Sequence, residues 1–293
     1  KIFSIYKKIK PDLVHHFTIK PCIYGGTISK LLGIKNTINH ITGLGPSFYS
    51  NRIKIKSINK ILEPLYKFAF NNDNNNLINI FHNNSDKNTF IKKCITKIDQ
   101  AITIQGSGVN IDYYKNSLPR KVNKEIKLLF PARIIKEKGI IELINACNDL
   151  WNSNYKFTLN IAGMIDKQNR SYLKNKHFNY IHKNPNIIFL GKCNNMREIY
   201  KTMDIVVLPS WREGLSKSLL ESAAMSLPII TTNVPGCNDI ITNEHSGLLV
   251  PARNKEKLKA AIKKYLHNPE LGTKYGKIAR QVVSEKFTVE IIN

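Results

Sequence analysis

Apolar positions in this chain recur in short runs of four to six, separated by longer stretches in which they return every three or four residues. The first spacing suits strands and the second suits amphipathic helices. From residue 126 onward the two alternate regularly. Strands are predicted at Ile126–Phe130, Phe157–Ala162, Ile187–Leu190, Ile205–Leu208, Ile229–Thr232 and Leu248–Val250. Helices are predicted at Gly139–Asn152, Ser171–Lys183, Met196–Met203, Ser216–Met225, Asn238–Thr242, Lys255–His267 and Glu270–Lys286. Short apolar strands alternating with helices imply an α/β fold whose parallel sheet is covered on both faces. Ligands of such sheets bind outside the carboxyl ends of the strands.

The first third follows the same grammar less regularly. Residues 1–10 suit a helix that Pro11 stops, with strands at Asp12–His15, Ile38–Thr42, Leu77–Phe81 and Ala101–Ile104. Helical spacing occupies residues 21–33, 52–70 and 84–96. Gly43-Leu44-Gly45-Pro46 is a turn cluster, and Asn71–Asn76 a polar loop. Residues 110–125 are polar and aperiodic, so the interdomain linker is expected there, dividing the chain into lobes 1–118 and 119–293.

Composition narrows the partners. Forty-five Lys and Arg against 21 Asp and Glu give a formal net charge of +24. Such a surplus favours nucleic acid, an anionic membrane surface or phosphorylated small molecules. No recognition-helix, zinc or aromatic-interleaved signature accompanies it, so nucleic acid is not the expected partner. The Lys-rich run Lys54–Lys67 is a solvated helix face or one that rests on anionic lipid. Five scattered cysteines without a CxxC argue for a reducing compartment rather than a disulfide framework.

The chemistry concentrates in Pro209–Ala223, which reads PSWREGLSKSLLESA. A strand ends at Leu208, a loop carrying Glu213-Gly214 follows, and a helix opens near Ser216. Backbone N–H groups of Gly214, Leu215, Ser216 and Lys217 at that helix start suit a phosphate, and Gly214 allows close approach. Glu213 can accept from sugar hydroxyls and Glu221 from ribose hydroxyls. Eight residues along a helix rise about 12 Å, wider than the roughly 5–9.5 Å that separates glycosidase carboxylates.

Glu213 and Glu221, seven residues apart, match the EX7E motif. The run PSWREGLSKSLLESAAMSLPIITTNVPGCNDII resembles the family 4 retaining glycosyltransferases. The likeness extends to PARIIKEKGI and SGLLVPARN, and back to DLVHHFTIKP, NHITGLGPSF, IFHNNSDKNTF and GSGVN. These earlier segments resemble the subgroup acting on undecaprenyl-diphosphate-linked sugars. The resemblance implies a GT-B fold, two Rossmann-like lobes facing a cleft. It implies a retaining hexosyltransferase that moves a sugar from a UDP-sugar to a lipid-linked saccharide in cell-surface polysaccharide synthesis. It also implies a cytoplasmic protein peripheral to the inner face of the cell membrane, using no metal or other cofactor.

By the same resemblance Arg133 and Lys138 clamp the donor pyrophosphate and offset charge on the leaving group. Gly163 lies along the nucleotide, Glu213 meets the donor sugar, Glu221 the ribose. Acceptor contacts fall on His15, Lys20, Gly43 and Gly45. His15 and His16 suit packing equally well, and Phe17 stands where many relatives carry a His. Family members open with a strand, a Gly-rich loop and a helix ahead of the PDLVHHFT segment, so the resemblance implies an incomplete N-terminal lobe. The alternative expectations are a fragment, a split gene product or a decayed enzyme and, from the charge alone, a basic nucleic-acid-binding protein.

Overall fold

The computed structural model describes residues 1–44, 48, 53–71, 76–115, 125–166, 169, 171–173 and 175–292, with side chains apart from 53–61 and 176. The chain divides into two compact units, Lys1–Gly106 and Ser107–Asn293. Among the described residues no helix is long and apolar enough to cross a membrane.

Unit 1 contains α1 (Ile2–Ile9), β1 (Leu13–Phe17), α2 (Ile19–Leu31), β2 (Asn36–Ile41), α3 (Ile53–Phe70), β3 (Asn76–Phe81), α4 (Asn84–Lys92) and β4 (Ala101–Thr103). Its four strands are parallel and lie in sequence order. Right-handed crossovers that always step the same way put every connecting helix on one face. Burial alternates accordingly. Val14 and His16, Thr37, Asn39 and Ile41, and Leu77, Asn79 and Phe81 are buried. They face a core that α2, α3 and α4 complete with Cys22, Tyr66, Phe70 and Phe90. The opposite face keeps Leu13 and Phe17 each 52% exposed, Ile78 41% and Ile102 43%. The Lys54–Lys67 run lies on α3, with its side chains up to residue 61 outside the described residues.

Unit 2 contains β5 (Ile126–Phe130), a single 3-10 turn (Lys136–Lys138), α5 (Ile140–Asn152), β6 (Phe157–Ala162), α6 (Asn175–Lys183), β7 (Ile187–Gly191), α7 (Met196–Thr202) and β8 (Ile205–Leu208). It continues with α8 (Lys217–Ala224), β9 (Ile229–Thr232), β10 (Leu248–Val250), α9 (Lys255–His267), α10 (Pro269–Lys286) and α11 (Val289–Ile292). The six strands are parallel in the order β10-β9-β8-β5-β6-β7. The order reverses at β5, so crossovers run both ways and helices cover both faces. That reversal opens a crevice at the carboxyl ends of β5 and β8, the place where such sheets bind ligands. Strand β8 is wholly apolar and buried, β9 is wholly buried, and β5 is buried from Leu128 to Phe130, as a doubly covered sheet requires.

Two predicted helices differ. Residues 238–242 form turns, with Ile240 and Ile241 N–H both bonding the Cys237 carbonyl. Five residues give too few intrahelical bonds to offset nucleation. The helix predicted from Ser171 begins at Asn175, because Tyr172 is drawn into a bridge with Ile135. Residues 109–114 belong with unit 2. Val109 bridges Thr288, and the Arg280 guanidinium donates to the carbonyls of Ile111, Tyr114 and Ala224.

Candidate active site

Four loops meet at the carboxyl ends of β5, β6, β8 and β9, and two glycines explain how closely. Gly139 has φ +73°, and a Cβ there would stand 2.0 Å from the Pro209 carbonyl oxygen. The turn that carries Lys138 therefore rests directly on the loop after β8. Gly236 has φ +79°, and its Cβ would meet Glu213 backbone and side chain at 2.7 Å. The loop after β9 supports Glu213 from the other side, through Glu213 N–H to Pro235 carbonyl at 3.3 Å and Ser216 N–H to Gly236 carbonyl at 3.2 Å.

Lys138 and Glu213 meet in this frame. The Lys138 ammonium donates to Glu213 Oε1 at 2.5 Å, with side chains only 20% and 10% exposed. Ser210 Oγ donates to the same oxygen at 2.7 Å, and Thr231 and Thr232 tie the loop to β9 through the Leu208 and Ser210 carbonyls. The carboxylate is thus fixed at the mouth of the crevice with Oε1 fully engaged. Buried Cys237 beside it is pushed up to about 12, by burial first and by the Glu213 charge second, so it stays a thiol.

Arg133 lies in the loop after β5. Its guanidinium pairs with Asp166 at 3.0 Å and is half exposed. Gly163, just past β6, is required here: a Cβ would fall 1.8 Å from the Ala132 carbonyl oxygen. The Gly163 N–H bonds the Gly191 carbonyl, so its backbone spans from β7 to the Arg133 loop.

Glu221 sits one turn into α8 and is 7% exposed. Tyr200, fully buried, donates to its Oε2 at 3.1 Å, and the Tyr114 hydroxyl faces it as well. Burial pushes the Glu221 carboxyl above its ordinary value, while the two hydroxyls and the Lys217 charge pull it back. Both tyrosines are raised, by burial and then by the Glu221 charge.

One sequence reading needs correction. The Ser216 N–H is not available to a phosphate, because it donates to Gly236; the Ser216 hydroxyl lies 3.3 Å from Ser218 Oγ. Leu215 packs against the core, and Gly214 connects it to Glu213. Because α8 begins at Lys217, Glu213 lies in the loop and the straight-helix rise does not measure its distance from Glu221.

In unit 1 the two histidines separate. His16 is buried on the helix-covered face, bonded to Asn39 at 2.9 Å and Tyr6 at 3.0 Å, and Gly25 leaves room for its ring. It is a packing residue. His15 is exposed on the other face, Lys20 is exposed on the first turn of α2, and Gly43 follows β2 with φ 153°. Gly45 lies outside the described residues.

Sequence reasoning missed Gly139, Gly236, Ser210, Asp166, Tyr114 and Tyr200. Only Gly139 and Gly236 carried a signal, Gly139 as the first residue of a predicted helix and Gly236 as a glycine just ahead of one. Trp211 packs beside this frame. It donates to Glu142 at 3.1 Å, and Arg253 covers its ring at 4.0 Å. Among the described residues no group of three or more His, Cys, Asp or Glu is arranged to hold a metal ion.

The family described as glycosyl transferases group 1 matches residues 115–282, and the glycosyl transferase 4-like family matches residues 1–83. The chain is 26% identical over 205 residues to the capsular polysaccharide biosynthesis glycosyltransferase CapM of Staphylococcus aureus, covering 66% of this chain and 53% of that protein. It is also 26% identical over 286 residues to the N,N'-diacetylbacillosaminyl-diphospho-undecaprenol alpha-1,3-N-acetylgalactosaminyltransferase of Campylobacter jejuni, covering 95% of this chain and 74% of that one. The chain therefore spans about half to three quarters of these relatives' length. Among solved structures, Anabaena HepE in complex with UDP and glucose matches with TM-score 0.82 and 17% identity, over 100% of this chain and 78% of that one. The parallel sheets share the GT-B fold with such structures, and, since the match over 115–282 spans more than half of its length, the chain belongs to the glycosyl transferases group 1 family.

Proposed function

We propose that unit 2 binds a nucleotide-sugar donor, with UDP as the nucleotide, and that the sugar passes with retention to a lipid-linked saccharide for cell-surface polysaccharide. The observation that carries this reading is the Lys138–Glu213 pair at the β5/β8 crevice, flanked by Arg133. Glu213 is held with one oxygen committed to Lys138 and Ser210, leaving Oε2 to accept from a sugar hydroxyl. A donor diphosphate brings competing negative charge to Lys138 and Arg133. Each cation then exchanges a carboxylate for phosphate oxygens, a charge-assisted contact that strengthens as the diphosphate gains charge on leaving. These cations take the part a metal would otherwise play. Glu221, positioned by Tyr114 and Tyr200, receives the ribose.

The activities for which the relatives are named, one in capsule synthesis and one on an undecaprenol-linked diphosphosugar, support a lipid-linked acceptor, which this reading places at the inner face of the membrane. His15, Lys20, Gly43 and Gly45 of unit 1 are the acceptor residues in this reading. The test is sugar transfer by the full chain from a panel of UDP-sugars to polyprenyl-diphosphate-linked N-acetylhexosamine, followed by mass spectrometry and by the anomeric coupling constant of the product. Product of retained configuration, lost in Glu213→Ala, supports the proposal. Product of inverted configuration, or transfer unaffected by Glu213→Ala, refutes it.

A further inference from the structure

Three imidazoles gather at the carboxyl end of the exposed face of the unit 1 sheet. His15 stands on β1, His40 on β2 opposite Phe17, and His82 directly follows β3. The His15 ring lies 4.1 Å from that of Phe17 and 5.7 Å from that of His40, the two imidazoles within 7° of parallel. His40 meets His82 edge-on, their Nε2 atoms 2.9 Å apart. Two ring nitrogens at that distance share one proton, one donating and the other accepting. His40 Nδ1 is buried with no partner among the described residues.

Among the described residues no acidic side chain acts on the cluster. Burial lowers all three imidazoles, and His82 falls to about 4. The charges that act on them come from within the cluster: His15 on His40, and His40 on His82. Among the described residues, the titratable groups that face His40 from β1, β2 and β3 are the other two imidazoles, and Phe17 is apolar. No carboxylate among the described residues enters. Packing neutral imidazoles this closely spends hydrogen-bonding capacity without core burial in return, since His15 is exposed and none belongs to the apolar core. The pair that would ligate a metal is occupied with itself. What the arrangement lacks, and would bind, is an anion that arrives with a proton.

We propose that His15, His40 and His82 form a binding site for a phosphate oxyanion that fills together with a proton. Resting on the function proposed above, the oxyanion is the diphosphate of the lipid-linked acceptor, distinct from the donor diphosphate held by Arg133 and Lys138. An oxyanion beside the shared His40–His82 proton converts the pair from one proton to two, each ring then donating to the ligand. Uptake of one proton per anion makes affinity change by up to about tenfold per pH unit.

The experiment is calorimetric titration of the full chain with inorganic pyrophosphate, and separately with geranyl diphosphate, at pH 6.5 and 8.0. Each titration is run in two buffers of different ionisation enthalpy, with UDP saturating. UDP binding is measured in the same samples, so its failure counts against the donor site and not against the cluster. Both diphosphates are expected to bind alongside UDP, up to about thirtyfold tighter at the lower pH. Proton uptake is taken by difference from His82→Asn, which removes the ligands' own titration, and is expected near one. His40→Asn is expected to match His82→Asn, and His15→Asn to weaken binding while preserving the fold should either of the others fail to fold. Absence of diphosphate binding while UDP still binds overturns the site. So does binding with no proton uptake, or binding unchanged in the variants. Displacement of both diphosphates by UDP would assign the phosphate to the donor and overturn the acceptor role.

Discussion

Replacing Lys138 by Met tests how the crevice is held together before any ligand arrives. The ammonium sits 2.5 Å from Glu213 Oε1, and the two side chains are 20% and 10% exposed. Exposed ion pairs contribute about 0–1 kcal/mol, and removing one partner of a fully buried pair costs about 3–5 kcal/mol. The partial exposure places this pair between those limits, and Ser210 Oγ still donates to the orphaned carboxylate. A loss of about 2–3 kcal/mol is therefore expected from Lys138→Met. Glu213→Gln should cost less, because its amide oxygen keeps accepting from Ser210 and Lys138. A melting shift of about 2–4 °C per kcal/mol, appropriate to a unit of this size, predicts a fall of about 5–10 °C for the unit 2 transition. The assay is a urea-denaturation double-mutant cycle on Lys138→Met, Glu213→Gln and the pair, with coupling expected at about 1–2 kcal/mol. If Lys138→Met stays within about 0.5 kcal/mol of the parent, the pair is a surface contact and the site is not preorganised as described.

Gly163→Ala places a Cβ 1.8 Å from the Ala132 carbonyl oxygen, so the β5 and β6 loops must part by about an ångström; overpacking of this kind costs about 1–3 kcal/mol. Nucleotide affinity should fall along with melting temperature, because Arg133 follows Ala132, and unchanged calorimetric affinity would remove Gly163 from the site. Burial raises the Glu221 carboxyl in the folded state. The native state therefore holds that proton longer than the unfolded one, and this contribution to stability is lost as pH rises from the ordinary carboxyl range through the raised value. Glu221→Gln should consequently gain on the parent in melting temperature between pH 4.5 and pH 7, and a flat or reversed difference would contradict the burial argument. Leu13→Ser with Ile78→Thr, on the exposed face of the unit 1 sheet, should change stability by no more than about 0.5 kcal/mol while reducing binding of a hydrophobic dye; a drop of several kcal/mol would mean that this face is packed.

Strands β5, β6, β8, β9 and β10 begin and end at the predicted residues because each is a short apolar or β-branched run bounded by Pro, Gly, Asn or charged residues. The EX7E segment was legible for the same reason: its strand, loop and helix are contiguous, so local chemistry sets all three. What remained hidden depends on contacts between distant segments. Gly139 and Gly236 matter because the Pro209 and Glu213 backbones approach them, which local sequence does not encode. Tyr114 falls in a stretch that reads as linker, yet Arg280, 166 residues later, holds its carbonyl and thereby sets its hydroxyl against Glu221. The pairing of His40 with His82 depends on strand order, because their segments, NHITGLGPSF and IFHNNSDKNTF, meet only through the β2–β3 pairing. Residues 238–242 show the opposite failure: a helical pattern too short to nucleate, overruled by turns that bring Gly236 to Glu213.

The central claim is that the β5/β8 crevice of unit 2 is a nucleotide-sugar site, and calorimetry of the full chain with UDP, GDP and ADP at fixed salt tests it most directly. The account predicts preference for UDP, with affinity reduced in Arg133→Ala and in Glu221→Ala. A folded chain that binds none of the three nucleotides, or that binds UDP equally well in both variants, would contradict it.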